Sequence, residues 1–214
     1  MNSFFKSKNN YTDTVKFDVK SIEQGHHRLK YKNVPMIKCP FDYIIYQMLI
    51  FDIKPDLIIE IGTNQGGSAL YLADLLDLNK KGEVHTIDIV DIRHDDVKSH
   101  PRIKFFPTGY ENYNLDLTHG FEKILVIDDG SHTYEDVKAT LEKFKNIVSK
   151  ESYFIVEDGI LDKLGWKKKY NGGPNKAIKE FIETSESYII DRYWCDLFGI
   201  NATFNTNGFL KKAK

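Results

Sequence analysis

The sequence predicts an α/β protein: a central, mostly parallel sheet with helices on both faces and an antiparallel β element near its C-terminal end. Three observations carry that expectation. Short runs rich in apolar and β-branched residues recur at 57–61, 84–88, 103–106, 124–128 and 153–157. Several are apolar at successive positions, as in strands covered on both faces. Stretches with helical spacing lie between them, and alternation of strands with helices implies parallel pairing.

The elements follow in order. The first two dozen residues are polar and weakly patterned, and no internal repeat follows. Pro40 opens a helix, since proline is tolerated at a first helical position. Phe41, Ile44, Ile45, Met48 and Leu49 recur at helical spacing up to the break at Pro55. The strand at 57–61 leads into a helix over 68–78, and Lys80-Lys81-Gly82 turns the chain into the strand at 84–88. A third strand is expected at 103–106 and a fourth at 124–128, which passes into a helix over 134–148. The fifth is 153–157, Pro174 starts a helix through Ile182, and β-rich segments at 188–193 and 199–204 close the chain. The organisation expected is an N-terminal arm, residues 1–37, before a single domain, residues 38–214.

Composition narrows the function classes. An apolar fraction of 41% and a charged fraction of 29% over 214 residues are those of a soluble globular domain. A formal net charge of −1 gives no general attraction to nucleic acid or to an anionic membrane. No apolar stretch is long enough to span a bilayer. The start MNSFFKSKNNYTDT lacks an apolar signal region, and Cys39 and Cys195 are isolated. A reduced, cytoplasmic protein is therefore expected.

In parallel sheets, ligands bind beyond the carboxyl ends of the strands, near the point where strand order reverses. Strand one ends in Glu60-Ile61-Gly62-Thr63-Asn64-Gln65-Gly66-Gly67-Ser68, a glycine turn that lets a ligand approach the backbone of the following helix. The dinucleotide pattern G-x-G-x-x-G is absent because position 64 is Asn. Glu60, Gly62, Thr63, Gly66 and Ser68 are thus candidate cofactor contacts, and Asp88, with Asp91 as a fallback, is placed to accept from a ribose diol. Strands four and five end in Asp128-Asp129-Gly130-Ser131-His132 and Glu157-Asp158-Gly159. Carboxylates crowded at neighbouring strand tips repel unless protons or a cation intervene, and hard divalent cations take such oxygen ligands. His132 is a candidate general base, because imidazole exchanges its proton near neutral pH. The plain alternative is structural: tight-turn glycines, acids that cap helices, and a histidine at a helix start.

Taken together, PDLIIEIGTNQGGSALYLADLL, TIDI, ILVIDDGSHTYEDV, FIVEDG, GGPNKAIKEFI and DRYWCDLFGINATFNTNGFLKK resemble the family labelled cephalosporin hydroxylase or rhamnosyl O-methyltransferase. The resemblance runs from about Lys38 to Leu210. It implies a Rossmann-like class I methyltransferase fold, S-adenosylmethionine as methyl donor, and Mg²⁺ held by Asp129, Glu157 and Asp158. It implies Asp128 beside the donor's amino acid end, and, from related macrolide-sugar enzymes, His132 as base. It further implies that the segment VPMIKCPFDYIIYQ covers the cofactor, with Lys38 as a contact. The acceptor implied is a hydroxyl of a sugar or natural product, and homo-oligomers occur in the family. Lysines of the loop 161–173 are placed to meet an anionic substrate.

Two rival readings stand beside this one: a nicotinamide-dependent oxidoreductase on a similar sheet, and an inactive binding module. The missing dinucleotide pattern and the acid cluster speak against the first, and the complete acid set with His132 against the second. His94-Asp95-Asp96 matches the H-x-D of non-haem iron hydroxylases, but it lies in a polar loop with no third partner evident.

Overall fold

The computed structural model describes residues 12–214. The first eleven residues of the arm, including most of the stretch read as lacking a signal region, lie outside the described residues. The elements in order are α1 (Val19–His26), β1 (Lys30–Tyr31), β2 (Val34–Pro35), α2 (Pro40–Ile53), β3 (Leu57–Ile61), α3 (Gly67–Leu78), β4 (Glu83–Asp88) and α4 (Asp95–Lys98). They continue with β5 (Ile103–Pro107), β6 (Ile124–Asp128), α5 (Tyr134–Phe144), β7 (Tyr153–Val156), α6 (Gly173–Thr184), β8 (Tyr188–Ile190), α7 (Arg192–Asp196) and β9 (Phe209–Lys212).

Seven strands form one sheet in the order β5-β4-β3-β6-β7-β9-β8. The first five run parallel, and β9 pairs antiparallel with both β7 and β8. Strand order reverses between β3 and β6, so the crevice expected to hold a ligand opens above those two. Strand alternation sends Ile58, Leu125 and Ile127 to the face covered by α2 and α3, where Ile45, Leu49, Leu72 and Leu76 pack on them. Leu57, Ile59 and Val126 point the other way, against Val137, Leu141, Phe144 and Phe181 of α5 and α6. Burial on both faces is why these strands read as unbroken apolar runs.

The C-terminal region departs from expectation. The segment 199–204 forms no strand; the antiparallel partner is β9, and α7 precedes the turn. Gly199 (φ +133°) and Asn201 (φ +51°) bend the backbone away from extended geometry. Asp196 Oδ1 accepts from the Asn201 N–H at 2.8 Å, fixing that bend. Helix α5 also stops at Phe144 rather than at 148, because the Ile147 N–H turns back to Phe144 O and Ser149 bonds to β6. Cys39 and Cys195 are free and buried. No helix among the described residues is long and apolar enough to cross a membrane.

Candidate active site

Backbone pairing continues one residue past the strand tips. The Gly62 N–H donates to Ile87 O, the Asp129 N–H to Ile61 O and the Glu157 N–H to Asp128 O, each at 2.9 Å. Main-chain bonds thereby hold Gly62, Asp129 and Glu157 at one level above the switch point. Glycine is required at 62: its φ is +94°, and a Cβ there would collide with the Asp129 carbonyl.

Two pockets open at this level and share Asp129 and Gly130. The first, about 360 Å³, lies over β3, β4 and β6. Of the expected cofactor contacts, Gly62, Asp88 and Asp128 line it. Asp88 Oδ2 also accepts from the Thr63 and Asn64 N–H groups at 2.9 Å, so it braces the glycine turn as well. Asp128 is buried, accepts from Thr140 Oγ1 and the Gly130 N–H, and burial pushes its carboxyl up to about 6.

Glu60, Thr63, Gly66 and Ser68 support the turn from behind and do not line the pocket. Glu60 is fully buried and accepts from Ser68 Oγ and from Thr86 Oγ1 (2.6 Å); burial raises it to about 7. Thr63 Oγ1 bonds Thr86 Oγ1 at 2.6 Å, and Gly66 (φ +83°) opens α3 against Val97. Asp91 pairs with Arg93 at 2.9 Å, outside the pocket. The far wall, Thr108 to Glu111 with Tyr110, follows β5 and carries no sequence signal of its own.

The second pocket, about 300 Å³, contains Asp129, His132 and Asp158. One ligand-type atom from each of these three lies within 4.8 Å of the others, and His132 Nε2 is 3.2 Å from Asp158 Oδ2. Its lining also includes the polar residues Glu23, His26 and Asn64 and the apolar residues Ile37, Ile160, Leu164, Trp166 and Phe204. His26, at the end of α1, lies on this wall because α1 folds over the site. Three non-glycine residues of the pocket adopt left-handed backbone: Asn64 (φ +49°), His132 (φ +59°) and Asp158 (φ +59°).

Glu157 faces away from that cluster, into the protein. The buried Lys38 ammonium donates to Glu157 Oε1 at 2.5 Å and to Asp129 Oδ2 at 2.8 Å. Tyr46 Oη donates to the same Glu157 oxygen at 2.7 Å. Burial raises the carboxyls of Asp129, Glu157 and Asp158 above their ordinary range. It works to lower the Lys38 ammonium, but Asp129 and Glu157 outweigh it and hold that group well above its usual value. Lys38 therefore touches the acids, where the resemblance implied a cofactor contact.

Of the three acids expected to hold a cation, Asp129 and Asp158 come together with His132, while Glu157 stands outside that grouping and is joined to Asp129 through the Lys38 ammonium. Each commits one oxygen to Lys38 or His132, while Asp129 Oδ1, Glu157 Oε2 and Asp158 Oδ1 accept no hydrogen bond among the described residues. Three acceptor-only oxygens beside a single ammonium leave negative charge that a divalent ion would balance. His94 instead caps α4 through the Asp96 N–H, and none of the metal-type groupings among the described residues includes it.

Comparison with known proteins agrees with this architecture. The rhamnosyl O-methyltransferase of Mycobacterium leprae (strain TN) is 27% identical over 208 residues, covering 89% of this chain and 90% of its own. That of Mycobacterium bovis (strain BCG / Pasteur 1173P2) is 25% identical over 211 residues, covering 89% and 84%. A solved structure of CmcI with S-adenosylhomocysteine superposes with TM-score 0.67 at 16% identity, over 95% of this chain and 96% of that one. A form of CmcI with Mg and S-adenosylmethionine gives 0.64 at 18% identity, over 88% and 78%. These structures share the class I methyltransferase fold. The family model described as Rhamnosyl O-methyltransferase/CmcI matches residues 24–213, and the chain belongs to that family.

Proposed function

We propose that this protein is an S-adenosylmethionine-dependent, Mg²⁺-dependent O-methyltransferase acting on a hydroxyl of a sugar or of a glycosylated small molecule. The observation that carries the reading is the meeting of two pockets at Asp129 and Gly130, one suited to a nucleoside donor and one to a polar ring. Family membership supports methyl transfer over nicotinamide chemistry, and the curated relatives are named for rhamnosyl acceptors.

In the first pocket, Asp88 presents a carboxylate to a ribose diol, Tyr110 and Ile89 offer apolar wall to a base, and Asp128 faces the donor's amino acid end. Asp129, Glu157 and Asp158 would hold the metal through their free oxygens. When bound, the donor supplies an electrophilic methyl group and the cation lowers the pKa of an acceptor hydroxyl. His132, on the pocket wall with its Nε2 at Asp158, is placed to receive the hydroxyl proton. The second pocket is lined by both polar and apolar groups, which suits a pyranose ring: Glu23, His26 and Asn64 can meet hydroxyls, and Trp166, Leu164 and Ile37 offer apolar surface to a ring face. The pocket walls would serve to orient an acceptor oxygen toward the methyl group.

The test is a methyl-transfer assay on rhamnosides, with and without EDTA, for wild type and Asp129→Ala. Turnover should fall about 10³-fold or more in both cases while S-adenosylhomocysteine binding survives. Full activity in EDTA would sink the metal role.

A further inference from the structure

The Lys38 side chain is 2% exposed, yet it arises from the segment leading into α2 and reaches residues 91 and 119 positions away. A lysine buried this deeply loses hydration that its partners must replace, so its place beside Asp129 and Glu157 is a specific arrangement. It takes one oxygen from each acid and leaves the other. Tyr46 Oη shares Glu157 Oε1, and Asn205 Nδ2 lies 3.4 Å behind that hydroxyl. The lysine is thus anchored at the back of the acids rather than in the acceptor pocket, whose lining does not include it.

Charge counting gives the arrangement a purpose. Asp129, Glu157 and Asp158 carry three negative charges when ionised, and the Lys38 ammonium returns one. The remainder matches a single divalent cation. The affinity of oxygen-ligand sites follows the charge of the ligand set and its rigidity.

We infer that Lys38 is a positioning and charge-setting residue of the metal site: it orients Asp129 and Glu157 from behind and reduces the ligand set to the charge of one divalent ion. The inference rests on the metal-dependent reading proposed above. Lys38 takes one oxygen of Asp129 and one of Glu157, and a cation would have the other oxygens to draw on. The lysine keeps the metal-free site folded and keeps divalent binding from becoming tighter than a turnover site needs. Removing the ammonium leaves a ligand set that attracts a divalent ion more strongly and a trivalent ion more strongly still, because the lost repulsion scales with the charge of the ion.

The experiment measures binding by the intact protein of Mg²⁺, by calorimetry, and of Tb³⁺, by luminescence, with melting temperatures in EDTA. Lys38→Met should lower the metal-free melting temperature. It should tighten Mg²⁺ binding by about tenfold or more and Tb³⁺ binding by a larger factor. Lys38→Arg, which keeps the charge, should hold both affinities near wild type. Glu157→Gln alone should weaken Mg²⁺ binding, and adding Lys38→Met to it should restore binding by returning the ligand set to its original charge. That pair keeps the question answerable if Lys38→Met alone fails to fold, since the double variant carries the same net charge at the site as wild type. Should wild type bind Mg²⁺ while Lys38→Met binds it equally or more weakly, and the double variant no better than Glu157→Gln, the charge-setting role is wrong and the metal site stands. Binding of neither ion by wild type would remove the metal reading itself, and this inference with it.

Discussion

The two pockets proposed for donor and acceptor are built on different principles. The first pocket is made mainly by residues that follow strand tips: Gly62 after β3, Asp88 at the end of β4, Asp128 at the end of β6. Its geometry descends from the sheet, because parallel register and the extended ladder place those residues together. The second draws Glu23 and His26 from α1, Ile37 from the approach to α2, Trp166 and Tyr170 from the segment after β7, and Phe204 from the turn before β9. No single element organises it. A parallel sheet thus shapes the first pocket, and the second adds to its strand-tip residues segments the sheet does not dictate, which under the proposed function would choose the acceptor.

Substitutions can break or sharpen that division. His132→Ala should have the largest effect, lowering kcat by roughly 10²–10⁴-fold with donor affinity intact; an unchanged rate removes it as base. Asp88→Ala should weaken S-adenosylhomocysteine binding by about 10–100-fold, read by calorimetry, with acceptor KM little changed. Trp166→Ala should do the reverse, raising acceptor KM by about tenfold with donor affinity unchanged. If Trp166→Ala moved donor affinity as far as Asp88→Ala does, the halves would not be separable.

The smallest effect lies beneath both halves. Asp42 is buried on α2, accepts from Thr203 Oγ1 and the Phe204 N–H, and burial pushes it up to about 8. Its folded value exceeds its unfolded one, so the folded protein holds a proton that the unfolded chain gives up. Stability from this group is complete below about pH 4 and is lost as pH rises through 8. Asp42→Asn, whose amide oxygen can accept from the Phe204 N–H while its Nδ2 donates to Thr203 Oγ1, has no titrating proton and should flatten the decline in melting temperature between pH 5 and 8. The difference is on the order of 2 kcal/mol; identical profiles for the two proteins would refute it.

Legibility in the sequence follows the same division. Strands buried on both faces announce themselves as apolar runs, and the acids stand directly after them, so Asp88, Asp128, Asp129, Glu157 and Asp158 are readable from position alone. Glu60 stands one residue before the end of β3, and the strand's alternation turns it inward to Ser68 and Thr86. The link from Lys38 to Glu157 spans 119 residues and leaves no spacing to detect. At 199–204, Ile200 and Phe204 imitate a strand, while the Asp196 bond to Asn201 that defeats it is tertiary. His26 and Trp166 reach the pocket only through the docking of α1 and the path of the chain after β7.

The left-handed backbone at Asn64, His132 and Asp158 has a further meaning. Such conformations disfavour any side chain, and glycine would relieve each by about 1–2 kcal/mol. A protein selected only for durability would carry glycine there. Retaining an amide, an imidazole and a carboxylate there gives one small cavity three polar side chains that glycine would not supply.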